Sequence, residues 1–143
     1  MDATLAEDIT ELIELGIHLK QHGRIDEALA VWEEAFTQLP VLTEHPQGLW
    51  LAIALGEQHY LRRHFAEAHT YFYAAWQAMP EEDDRLAKLL ARLAECLHEL
   101  GDTDGALEFL MRATMERSDM QERVNEAFEG MSILSMPRGG KLN

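Results

Sequence analysis

Seven histidines and one cysteine are the side chains of this chain best suited to hold a metal or attack a substrate. His18 and His22 stand four residues apart, which on a helix places two imidazoles on one face at metal-ligand spacing. No Glu, Asp or Cys partner is identifiable to complete a site, so the pair reads as solvent-facing. His59, His64 and His69 straddle a turn, and the interval from His64 to His69 is not that of the zinc-protease motif, whose histidines share one helical face. Neither a metal nor a cofactor is expected. Cys96 lies in the apolar run Leu93 to Leu97, with no basic group evidently placed to lower its pKa. It reads as a buried structural thiol.

The 26 Asp and Glu residues fall on helix faces and in the run Glu81-Glu82-Asp83-Asp84, and no two can be assigned as a general acid and its partner base. There is no Gly-rich phosphate loop, nucleophile elbow or dinucleotide fingerprint. The chain is read as a binding protein and not as an enzyme.

The elements that would carry any binding residues are helices. Leu12, Leu15 and Leu19 recur at helical spacing up to Gly23, and Ile25, Leu29, Trp32, Phe36 and Leu39 continue it to Pro40. Gly23 stands where a helix end favours positive φ, and Asp26 suits the free N–H groups of the next helix. A second hairpin has Leu55, Tyr60 and Leu61 before Arg62-Arg63-His64, then Phe65, Ala68, Phe72, Ala75 and Met79 up to Pro80. A third has Leu89, Leu90, Leu93 and Leu97 before Gly101-Asp102, then Leu107, Leu110 and Ala113. Ser118-Asp119-Met120-Gln121 reads as the start of a seventh, capping helix carrying Val124, Phe128 and Met131. Loops are expected at Val41 to Gly48 and at the acidic run. Aligning Ala28, Ala68 and Ala106 gives repeat intervals of 40 and 38 residues.

At 143 residues the chain is expected to form one domain, since domains commonly run to roughly 100–200 residues. Its 47% hydrophobic and 27% charged residues suit folding in water. Twelve Lys and Arg against 26 Asp and Glu leave a net charge of −14, which repels phosphate backbones and anionic lipid. Neither nucleic acid nor a membrane is an expected partner. Residues 2–15 form an amphipathic helix and not an export signal, no apolar run approaches the roughly 18 residues of a membrane span, and a cytoplasmic location is expected.

The three hairpins resemble the tetratricopeptide repeat family, whose pattern is an aromatic, Leu-Gly, Tyr, Ala, an aromatic and Pro. The first copy has Leu12, Leu15-Gly16, Leu19, Ala28, Trp32, Ala35 and Pro40; the second has Leu55-Gly56, Ala68, Phe72, Ala75 and Pro80, with Ala52 and His59 departing. In the third, Leu93-Ala94, Gly101, Ala106 and Ala113 fit, while Leu110 replaces the aromatic and Ser118 the proline. The resemblance implies an all-α, right-handed superhelix of antiparallel helix pairs, with about seven helices in a single domain over residues 1–135. Its repeats span about 9–42, 49–82 and 87–118, followed by a capping helix over 119–134 and a flexible tail over 136–143.

The resemblance further implies that the first helix of each pair lines a concave groove that binds a peptide or helix of another protein. Carried over one position at a time, the groove residues are Ile13, Ile17 and Lys20; Trp50, Ile53, Glu57 and Tyr60; and Lys88, Ala91, Arg92, Glu95 and His98. Ile13 and Ile53 fit the core as well as they fit the groove. Lys88 and Arg92 resemble half of the clamp with which some family members hold a peptide carboxylate, but Ile13, Ile17 and Ala54 stand where its other half needs Lys and two Asn. Salt bridges from Lys88 and Arg92 to the acidic run are the alternative. Small acidic three-repeat proteins also look like the translocator-binding chaperones of type III secretion. The apolar C-terminal segment, with Phe128, Ile133 and Leu134, opens a third reading as a self-associating scaffold or homodimer.

Overall fold

Three residues with positive φ mark the joints of the chain: Gly23 at 77°, Arg63 at 64° and Gly101 at 92°. The computed structural model describes residues 3–39 and 46–135, and these form six α-helices and no strand. They are α1 (Ala3–Gln21), α2 (Ile25–Thr37), α3 (Pro46–Leu61), α4 (Phe65–Ala78), α5 (Leu86–Glu99) and α6 (Thr103–Ser135). At each joint the amide after the positive-φ residue donates back to the closing turn of the helix: Arg24 to the Leu19 carbonyl (2.9 Å), His64 to His59 (2.8 Å) and Asp102 to Leu97 (2.8 Å). This closure satisfies carbonyls that the helix end leaves free, and it needs a left-handed residue at its centre. Glycine adopts that conformation readily. Arg63 does so against the clash of its own Cβ.

Within each of the first two hairpins a large ring lies on a glycine. A Cβ on Gly16 would stand 2.1 Å from Nε1 of Trp32, and one on Gly56 would stand 2.5 Å from the Phe72 ring. The two rings are nearly inaccessible, at 2% and 1% exposed. The Trp32 indole N–H also donates to the Ile13 carbonyl at 3.2 Å. Backbone approach and ring burial therefore come from one pairing, repeated at the same sixteen-residue interval in each hairpin.

The hairpins stack in chain order, α2 against α3 and α4 against α5. One core cluster holds Ile9, Leu29, Trp32, Ala35, Leu51 and Leu55; the other holds Leu49, Phe72, Leu89, Leu90, Leu93 and Cys96 among its members. Phe36 packs against both. The all-α stack of antiparallel pairs is the fold that the repeats imply. No helix among the described residues is long and apolar enough to cross a membrane.

Two boundaries differ from those read in the sequence. Pro46 and Gly48 are helical, because proline is tolerated in a first turn, so Trp50 lies a full turn inside α3. The expected capping helix over 119–134 is the continuation of α6, which runs unbroken for 33 residues. In the sequence a proline, Pro40 or Pro80, follows each of the first two hairpins, whereas the third has Ser118, which keeps its N–H and lets the helix continue. The expected tail, 136–143, lies outside the described residues, as does most of the first inter-hairpin loop.

Candidate interaction surface

Four of the residues assigned to the groove form one polar network between α3 and α5. The Arg92 guanidinium donates to both carboxylate oxygens of Glu57, at 2.7 and 3.3 Å, and its third nitrogen reaches Glu95 at 3.3 Å. The Tyr60 hydroxyl donates to Glu95, and the Arg92 guanidinium carbon lies 4.2 Å from the centroid of the Tyr60 ring. The fork of Arg92 thus matches a carboxylate supplied by the protein itself. Its bond to Glu57 holds the guanidinium pKa further above its ordinary value, and the bond to Glu95 raises that of the Tyr60 phenol.

This geometry corrects both readings of Arg92. It is engaged neither in a half-clamp open to a ligand nor with the acidic run. In that run Asp83 instead takes Arg85, at 2.7 Å, and the pairing holds the Asp83 carboxyl below its ordinary range. Lys88 is exposed at the mouth of a cleft of about 200 Å³, with Ile53, Phe72 and Leu89 beneath it and Glu57, Arg85 and Arg92 around it. No ion pair is recorded for Lys88 among the described residues.

The apolar residues assigned to the groove do not make one open patch. Ile13 and Ile17 are half-buried against the first core cluster, and Ile53 and Tyr60 against the second. Trp50 is 37% exposed and meets Trp32 edge to face at 5.4 Å. Lys20 is exposed on α1, and Ala91 is half-buried on α5. Phe128, Ile133 and Leu134 fall within α6, but their side chains are outside the described set.

Tyr60, Glu95 and His98 border a larger hollow of about 590 Å³, completed chiefly by Leu61, Phe65, Ala94, Leu107 and Leu110. Ala94 and Leu110 hold the positions that Gly16 and Trp32, and Gly56 and Phe72, hold earlier in the chain. The ring that fills the first two hairpins is absent here. Phe109, one residue earlier, turns instead to Trp76, at a centroid distance of 5.1 Å.

The reactive side chains are placed as their surroundings require. His18 and His22 are both exposed, with ring centroids 4.3 Å apart. Among the described residues no group of three or more His, Cys, Asp or Glu could hold a metal ion. Cys96 is fully buried, and burial pushes its thiol up to about 11. His59 lies between Tyr71, on which its ring stacks at 5.6 Å, and Glu33, 3.4 Å from its Nε2. Periodicity does not signal that contact, since it joins residues 26 apart with no repeating counterpart.

Comparison with known proteins agrees with the geometry. Residues 59–127 match the family model described as tetratricopeptide repeat. Among solved structures, the chain is similar to the N-terminal domain of stress-induced protein-1 (STI-1) from C. elegans, with a TM-score of 0.65 at 17% identity over 88% of this chain and 98% of that one. No curated protein matches by sequence.

Proposed function

We propose, for a chain whose residues 59–127 match the tetratricopeptide repeat model and whose fold is that of the family, a role as a non-catalytic protein–protein interaction module. The face formed by α1, α3 and α5 holds a segment of another protein. One observation carries this reading: the cleft between α3 and α5 combines an apolar floor of Ile53, Phe72 and Leu89 with an ammonium group, that of Lys88, for which no ion pair is recorded. A segment offering an apolar side chain beside a carboxylate fits both parts of it. The half-exposed Trp50 indole adds an aromatic surface on the same helix as Ile53.

The test is crosslinking capture of the native partner by the intact chain and by its Trp50→Glu and Lys88→Glu variants. Both variants lose the partner while keeping helicity; Lys88→Glu also keeps the melting temperature, and Trp50→Glu lowers it only by the loss of its contact with Trp32. Capture undiminished in both removes the cleft as the binding site.

A further inference from the structure

In the first two hairpins the second helix packs against the hairpin that follows, and the ring that lies on the hairpin's own glycine is sealed: Trp32 is 2% exposed and Phe72 1%. On α6 the equivalent residue, Leu110, is 43% exposed, and Leu107 beside it is 53% exposed. Met111 and Met115 are exposed as well, and together these four border a shallow apolar trough along the helix. At about 100° per residue they fall on a single face. No described residue covers that face.

We propose that α6 docks a cationic amphipathic helix from a partner protein, lying on α6 as α5 lies on α4. This is a second surface, distinct from the cleft around Lys88. Its apolar side rests on Leu107, Leu110, Met111 and Met115, and a bulky side chain enters the hollow that the missing third ring leaves beside Ala94. A helix suits the place because α2 and α4 each pack against the first helix of the next hairpin, with Trp32 and Phe72 sealed at the position of Leu110. The positions of Met111 and Met115 are not buried there (Glu33 and Thr37, Tyr73 and Gln77), so the two methionines widen the apolar strip beyond that contact. Thioether side chains adapt to a ligand whose shape is not fixed in advance.

Charge selects the occupant. Asp104, Glu108, Asp119 and Glu122 fall along one side of the stripe, and among the described residues only Glu108 of the four is paired with a cation, Arg112 at 3.1 Å. Farther along that side Glu116, Asp119 and Glu122 line a hollow with Glu81 and Glu82. Lysines or arginines on the border of an incoming helix meet this edge favourably. Two copies of α6 laid antiparallel bring the same acidic edge against itself, which disfavours a second copy of this chain.

The experiment uses a fluorescein-labelled synthetic peptide of about 18 residues, long enough to form a helix, with Leu and Lys in amphipathic order and one central Trp. Binding to the intact chain is read by anisotropy. Leu107→Glu/Leu110→Glu weakens it at least about tenfold, although the added negative charge by itself would tighten it. Met111→Gln/Met115→Gln, at two exposed positions, weakens it with unchanged helicity, while Trp50→Ala and Lys88→Ala leave it intact. Failure of the wild-type chain to bind, or equal or tighter binding by the Glu variant, overturns the proposal. So does a wild-type dimer that the Glu variant dissolves, which assigns the face to a second copy. If Trp50→Ala abolishes binding while the α6 variants keep it, the peptide sits in the groove; the α6 site falls and the proposed function stands.

Discussion

Gly16 lies directly under the Trp32 indole, with 2.1 Å between Nε1 and the place a Cβ would occupy. The ring also meets Trp50, edge to face at 5.4 Å, and its N–H is committed to the Ile13 carbonyl. It has nowhere to retreat. Gly16→Ala therefore costs about 1–3 kcal/mol by overpacking, despite alanine's better helix propensity. Gly56→Ala does the same against Phe72. Urea unfolding of the two variants checks this, and wild-type midpoints would show that the ring shifts freely.

Arg63→Gly acts in the opposite direction. Arg63 holds φ 64° where the other two hairpins use glycine, and what it gains is an exposed pairing with Glu99 at 3.6 Å and a position over the Phe65 ring at 5.2 Å. Exposed ion pairs contribute little, so relief of the left-handed strain outweighs their loss. Stability is expected to rise by about 0.5–1 kcal/mol, read from the same unfolding curves.

The pairing of Glu57 with Arg92 joins the second hairpin to the third. A double-mutant cycle on Glu57→Ala and Arg92→Ala is expected to give a coupling energy of about 1 kcal/mol, since both side chains are partly screened from water and the contact is two-pronged. The coupling shrinks in high salt. Zero coupling at low salt would make the contact incidental.

Cys96 is expected to resist iodoacetamide at neutral pH until the protein unfolds, because its thiol ionises only near 11. The sign of the pH effect follows. Burial favours the neutral thiol, so its share of stability is complete below the ordinary value of 9.0 and is lost as pH rises toward 11. Cys96→Ala removes that alkaline slope. A labelling rate equal to that of a free thiol contradicts the assignment.

The hairpins were legible because their signals are local and repeated: glycine at two of three joints, large residues at helical spacing, prolines after α2 and α4. Gly16 with Trp32 and Gly56 with Phe72 show this best, one size rule stated twice at one interval. The extent of α6 was harder to read, since Ser118-Asp119 resembles a cap and only the absence of a helix-stopping residue argues for continuation. The Arg92 network left no periodic trace. Its members lie 35 residues apart in the chain, and nothing in their spacing distinguishes a guanidinium that binds a ligand from one already held by Glu57. Exposure on α6 was equally hidden, because Leu107 and Leu110 carry the same apolar pattern as residues that the fold covers.

Phe36, the side chain that touches both core clusters, has a consequence for how the molecule comes apart. Each hairpin is bound chiefly to the next, so opening spreads along the stack from one neighbour to another, and the free energy of each step is set at a junction. The ring of Phe36, edge-on to Tyr71 at 5.2 Å, sits at the junction where an unravelling amino-terminal pair either takes the rest with it or leaves the carboxy-terminal two-thirds standing. Trimming that one ring would uncouple the melting of the first hairpin from that of the other two before it unfolds either part, with amide hydrogens of α1 and α2 exchanging ahead of those in α5.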